Sequence, residues 1–103
     1  MKPHYSEFVR HCLRHYVFTL DDGKGGHPVF KSNAEKENWS ACYKVLKDYS
    51  ERDMEIISQL YRPGDTMPDK IYQLATLKRL PQDTIWHLVN TTERKVAQKR
   101  GLI

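Results

Sequence analysis

Apolar positions recur at helical spacing along most of this chain. Tyr5, Phe8, Val9, Cys12, Leu13, Tyr16, Val17 and Leu20 fall near i, i+3, i+4 intervals, which predicts an amphipathic helix from about Pro3 to just before Asp22. Trp39, Cys42, Tyr43, Leu46 and Tyr49 form the apolar face of a second helix over residues 33–48, with Ser32 or Asn33 as N-cap. Ser50 followed by Asp53 approximates a capping box at the head of a third. Met54, Ile57, Leu60 and Tyr61 form its stripe, and Pro63-Gly64-Asp65 ends it. Pro68 and Pro81 each suit the first turn of a further helix, where no backbone N–H is needed. The last helix is expected to reach about Arg100, with Gly101 as its C-cap. Leu102 and Ile103 then dock, with the N-terminal helices as the expected surface. The fold class that follows is all-α, with four to five helices.

One stretch breaks the periodicity. Residues 21–33 carry three glycines and a proline and predict a loop. Tyr16-Val-Phe-Thr-Leu is also strand-like, so a short hairpin pairing residues 16–20 with 28–31 is a competing reading. The glycines are in the wrong order for a phosphate-binding loop. Phe30 is expected to fold back onto the core.

The last two helices make the most informative pair. Leu74 and Ala75 lie in the first, Leu80 in the turn, and Ile85 and Leu88 in the second. Ala75 leaves room for a close crossing, Leu80 plugs the corner, and Ile85 and Leu88 dock the second helix on the first. This spacing reads as a helix-turn-helix over residues 68–96. At 100° per residue, Ile85, Leu88, Val89, Thr92 and Val96 form one stripe. Asp83, His87, Asn90, Thr91 and Arg94 form the opposite arc. A helix that reads a DNA major groove needs this division, with a core face behind and donors and acceptors in front. The plain alternative is a packed helical hairpin with a solvated polar face.

At 103 residues the chain is sized for one domain. A weak boundary near residue 49 divides an N-terminal helical extension (1–49) from a helix-turn-helix domain (50–103). Whether the extension packs on the rest or mediates a homodimer stays open. No run approaches 18 apolar residues and the N-terminus lacks the apolar core of a signal peptide, so a cytoplasmic protein without a membrane partner is expected. Cys12 and Cys42 both fall on apolar stripes and read as buried, reduced thiols.

The net charge is +4, and it is unevenly placed. Residues 70–103 hold seven Lys/Arg against Asp83 and Glu93, whereas residues 1–69 are close to neutral. Phosphate binding predicts such an asymmetry. Gln82 and Asn90 are amides able to pair with adenine, and His87 can donate to or accept from a base edge. Asp83 can accept from a cytosine amino group or complement the helix N-terminus. Lys78, Arg79, Thr84, Thr91, Arg94, Lys95, Lys99 and Arg100 are candidates for phosphate contact, which positions a protein without specifying sequence. Trp86 lies on the flank of the stripe and is expected to pack, with a thymine methyl contact as the alternative.

The segments Ser50-Glu-Arg-Asp-Met-Glu-Ile-Ile-Ser-Gln-Leu-Tyr, Ile71-Tyr-Gln-Leu-Ala, Leu80-Pro-Gln-Asp-Thr-Ile-Trp-His-Leu and Arg94-Lys-Val resemble region 4 of bacterial sigma-70 factors. They look still more like the short stand-alone proteins of that type from phages and mobile elements. The resemblance covers roughly residues 50–99. It implies a transcription regulator whose recognition helix reads promoter DNA, with base contacts at Gln82, Asp83 and His87 and phosphate contacts near Thr84, Arg94 and Lys95. RNA polymerase is a further implied partner. Pro81 stands where that family usually has a Ser or Thr N-cap, Arg79 where Gly is common, and Gln82, Thr84 and Trp86 where basic residues often stand. Residues 1–49 do not resemble the sigma region that melts promoter DNA.

Three other classes compete. His11 and His15 share a helix face with His4 one or two turns away, but a metal site needs further ligands and a zinc-protease helix a general base. A protein-interaction module that binds RNA polymerase or another regulator without reading DNA fits the helical content. No nucleophile–base pair or cofactor loop is evident, so neither an enzyme nor a bound cofactor is expected.

Overall fold

In a computed structural model of the chain, residues 4–21 and 29–103 are described. They form five helices and no strand: α1 (Ser6–Asp21), α2 (Asn33–Leu46), α3 (Glu51–Leu60), α4 (Met67–Lys78) and α5 (Gln82–Lys99). The all-α architecture is the one that the periodicity predicts. The strand-like run at residues 16–20 continues α1 instead of pairing in a hairpin. Tyr16 and Val17 are buried on the helical stripe, and that packing overrides the β preference of a short aromatic and β-branched run. Residues 22–28, with the three glycines of the expected loop, lie outside the described residues.

Helix starts follow from local chemistry. The Ser32 hydroxyl accepts the Glu35 N–H at 3.2 Å at the head of α2, and the Ser50 hydroxyl accepts the Asp53 N–H at 3.1 Å at the head of α3. Thr66 caps α4 through the Asp69 N–H at 3.4 Å, a cap that the reading from Pro68 passed over. Each hydroxyl satisfies one of the first-turn N–H groups that have no partner within a helix. At the far end of α3, Lys70 reaches back from α4 and donates to the carbonyls of Leu60 and Arg62. Partial burial, then the neighbouring Arg14, lowers its pKa.

Helix α5 is the spine, because each of the other four helices packs against it. Its buried side chains Ile85, Val89, Thr92, Val96 and Ala97 meet Val9, Leu13 and Val17 of α1, Cys42 and Leu46 of α2, Ile56 and Ile57 of α3, and Ile71 of α4 in a single cluster. Phe8 and Leu20, expected on the stripe of α1, are largely exposed. Trp39 stacks on Tyr43 at 5.5 Å and donates its indole N–H to Thr19 Oγ1 at 2.9 Å. Phe30 does fold back, with its ring 5.9 Å from that of Trp39. Leu102 packs against the core while Ile103 stays exposed. Both thiols are free and buried, and burial pushes each pKa up. A protonated thiol in apolar surroundings is inert.

Thr92 and Glu93 of α5 carry three side-chain hydrogen bonds across this core. Tyr49 and Thr92 share a hydrogen bond of 2.6 Å between their hydroxyls. Glu93, 3 % exposed, accepts from Arg10 Nε at 2.8 Å and from the Tyr61 hydroxyl at 2.7 Å, both through Oε2. Burial and then the adjacent carboxylate push the Tyr61 pKa well up, so that hydroxyl remains a donor. Removing one partner of a buried pair strands the other charge, which costs about 3–5 kcal/mol. Glu93→Ala is therefore expected to lower unfolding free energy by about that amount in urea denaturation followed by circular dichroism. Arg10→Met combined with Glu93→Leu should recover part of the loss. A single mutant within about 1 kcal/mol of wild type would show that the pair carries no such weight.

Candidate nucleic-acid interface

Helices α4 and α5 meet through Arg79-Leu80-Pro81. Arg79 adopts φ 56°, ψ 43°, and its N–H and that of Leu80 both return to the Ala75 carbonyl. This left-handed residue reverses the chain quickly enough for α5 to cross α4. A side chain in that region costs about 1–2 kcal/mol relative to right-handed geometry. The corner is filled as expected: Ala75 and Ile85 are buried, and Leu80 and Leu88 are half-buried against the same core. Lys78 at the end of α4 pairs with Glu55 of α3 at 3.1 Å, which braces the turn from behind.

With its back face buried, α5 presents a polar ridge. Gln82, Asp83, Thr84, His87, Asn90 and Arg94 are exposed and Thr91 is half-buried. Among the described residues, Gln82, His87, Asn90 and Arg94 have no side-chain hydrogen bond or ion pair within the protein. Their donors and acceptors are thus open to a ligand. Pro81 supplies no side-chain cap, and the Thr84 N–H returns instead to the Pro81 carbonyl at 3.1 Å. Trp86 is half-buried and packs against the core, the first of the two readings of its position.

A groove flanks the ridge on each side. One, of about 370 Å³, lies towards the start of α3 and is lined by Tyr49, Ser50, Asp53, Thr84, His87 and Lys95. The other, of about 390 Å³, lies towards the start of α1 and is lined by Tyr5, Ser6, His87, Asn90, Thr91 and Arg94. Neither Tyr5 nor Ser50 was singled out for this surface. They come from elements distant in sequence, and only the packing of α1 and α3 on α5 brings them there. His87 and Thr91 border both grooves.

The candidate cations separate into two groups. Arg79, Arg94, Lys95 and Lys99 are exposed, with Lys95 Nζ 5.7 Å from the centre of the Tyr49 ring. Arg100 and Lys78 are engaged inside the protein. Arg100 donates from Nε to Asn38 Oδ1 at 2.5 Å, pairs with Glu37 at 3.3 Å and lies 6.0 Å from the Phe8 ring. Its guanidinium is satisfied by α2, so it serves as a strut between helices. The histidines of α1 do not converge: His15 faces Glu35 at 3.6 Å and His4 lies edge-on to Tyr5. Among the described residues no three His, Cys, Asp or Glu side chains are grouped as metal ligands would be.

The strained turn yields a direct test. Arg79→Gly relieves the left-handed cost but adds chain entropy to the unfolded state, so a net gain of about 0.5–1 kcal/mol is expected. Arg79→Val should destabilise, because a β-branched residue suits that region least. Denaturation midpoints in the opposite order would show that this backbone geometry is not held in solution. Comparisons with family models, with curated proteins and with solved structures gave no match for this chain.

Proposed function

We propose that this protein is a sequence-specific DNA-binding regulator of transcription, and that α4 and α5 act as a helix-turn-helix with α5 entering the major groove. The observation that carries this reading is the two-sidedness of α5. Ile85, Val89 and Val96 are fully buried, while Gln82, His87, Asn90 and Arg94 stand outward without partners among the described residues. In the free protein these groups are met by water, so base edges can take that water's place without breaking a bond within the fold. The left-handed residue between the helices supports the same reading, as does the basic excess of residues 70–103. The resemblance of residues 50–99 to sigma-70 region 4 is further support.

In this mechanism Gln82 and Asn90 address adenine through paired amide hydrogen bonds, His87 reads a base edge, and Asp83 accepts from cytosine. Arg79, Arg94, Lys95 and Lys99, with the hydroxyls of Thr84 and Thr91, hold the flanking phosphates and fix register.

A second reading draws on α4. Tyr72 and Leu77 are 62 % and 77 % exposed. Leu77 edges a groove of about 430 Å³ between α3 and α4 that also contains Glu55, Gln59, Arg62, Lys70 and Leu74. Such a surface suits a protein partner, with RNA polymerase the one that the resemblance suggests. Capture of purified polymerase by the wild-type chain, lost in Leu77→Asp, would support it.

The DNA reading is tested by duplex selection from a random pool followed by fluorescence anisotropy across a salt series. Binding should weaken steeply with salt, each neutralised phosphate contributing about 0.9 to the logarithmic slope. Arg94→Ala should weaken all duplexes alike and reduce the slope by about one, whereas His87→Ala should change which sequence is preferred. A salt-independent affinity, or both variants behaving as wild type, would remove α5 from the interface.

A further inference from the structure

We infer that Tyr5, the residue just ahead of α1, is a further DNA contact: its hydroxyl donates to a backbone phosphate on one rim of the major groove that α5 enters. The inference rests on the DNA reading of α5. It brings into the interface a helix outside the sigma-like half of the chain.

The side chain is held in place for such a contact. Tyr5 is half-buried and packs against the core, and the ring of the exposed His4 lies edge-on to it at 5.7 Å. The Tyr5 carbonyl accepts the Val9 N–H at 3.0 Å, which joins its backbone to the first turn of α1. Register against α5 is set further along α1, where Arg10 meets Glu93 at 2.8 Å. The Tyr5 hydroxyl has no hydrogen-bond partner among the described residues, and no side-chain oxygen or nitrogen there is both enclosed and unpaired. The hydroxyl therefore reaches water. A fixed ring with a solvated hydroxyl can exchange that water for a phosphate oxygen at little cost in side-chain order.

Its place beside α5 decides what it meets. At about 100° per residue, Asn90 and Arg94 lie about 60° and 20° to one side of His87, and Thr91 and Lys95 about 40° and 80° to the other. Tyr5 lines the groove on the Asn90 side, together with Ser6 and Arg94. It thus borders the face proposed to meet base pairs and not the back of the helix. A helix with its side chains is about 10–12 Å across, and a major groove is about 12 Å wide. An element packed on the flank of α5 at the level of Asn90 therefore stands over a sugar–phosphate rim. Thr84 and Lys95 lie towards the opposite rim, and on this one Tyr5 joins Arg94.

The charges around Tyr5 permit a phosphate there. The carboxylate in the lining, Glu93, is 3 % exposed and paired with Arg10, so it leaves the mouth of the groove close to neutral. The exposed Glu7 lies about 200° round α1 from Tyr5, away from the groove. The groove on the α3 side, by contrast, has Asp48 and Asp53 in its lining.

The test uses the full chain, the selected duplex and Tyr5→Phe, which keeps the ring and removes the hydroxyl. Affinity should fall about fivefold or more on every duplex, because the lost bond is to a charged group. Base preference should stay unchanged, and so should the salt slope, because the substitution adds or removes no charge. Single methylphosphonate substitutions along the duplex then locate the phosphate. One position at the edge of the site should weaken wild type and cost Tyr5→Phe clearly less, a coupling that a packing defect does not produce. Tyr43→Phe, on α2, should bind as wild type. A Tyr5→Phe chain with wild-type affinity overturns the contact and leaves the α5 reading standing. So does a loss accompanied by the wild-type methylphosphonate pattern, or an equal loss in Tyr43→Phe. A wild-type chain that binds no duplex at low salt overturns the α5 reading and this one with it.

Discussion

A carboxylate buried at the centre of the protein is the constraint on which the arrangement of helices depends. Glu93 of α5 is reached by Arg10 of α1 and by Tyr61 at the end of α3. An ionised group so enclosed is tolerated only when paired and hydrogen-bonded. Apolar contacts are nondirectional and would allow α1 to slide or rotate on α5 at modest cost. A single oxygen that accepts two directed bonds from two other helices fixes the register of all three. The Tyr49–Thr92 hydroxyl pair, one residue earlier on α5, ties the α2–α3 connection to the same level.

That anchoring explains how α5 can be the spine of the core and also present the surface proposed to meet DNA. Its middle turns face inward with Val89, Thr92, Glu93 and Val96, and the same turns carry His87, Asn90, Thr91 and Arg94 outward. A ridge held from behind by four helices is preorganised, and a ligand that meets it does not have to order it. The flanking grooves depend on the same register. Tyr5 stands beside Asn90 and Arg94 because Arg10, a turn and a half along α1, is bound to Glu93.

The charges show how the fold edits a sequence-level inventory. Counted along the chain, Lys78, Arg79, Arg94, Lys95, Lys99 and Arg100 look equivalent. In the fold Lys78 is spent on Glu55 and Arg100 on α2, whereas Arg79, Arg94, Lys95 and Lys99 stay exposed. Pairings between residues about 20–60 positions apart leave no periodic trace, so the counts were informative only about the total.

What the sequence determined by itself is local. Helical periodicity and short-range caps located the helices to within a few residues, because i, i+4 packing and the Ser32 and Ser50 hydroxyls act within a turn or two of the chain. The same short-range logic read the corner at Ala75, Leu80, Ile85 and Leu88 and the outward arc from Asp83 to Arg94. The strand-like end of α1 was ambiguous because both periods fit five residues, and burial of Tyr16 and Val17 resolved it. The role of Glu93 was hidden, since a carboxylate next to a stripe reads as solvated surface until Arg10 and Tyr61 arrive from 83 and 32 residues away. Which helices flank the ridge, which cations are free and which carboxylate is buried were decided only by tertiary structure, because desolvation and pairing depend on neighbours in space.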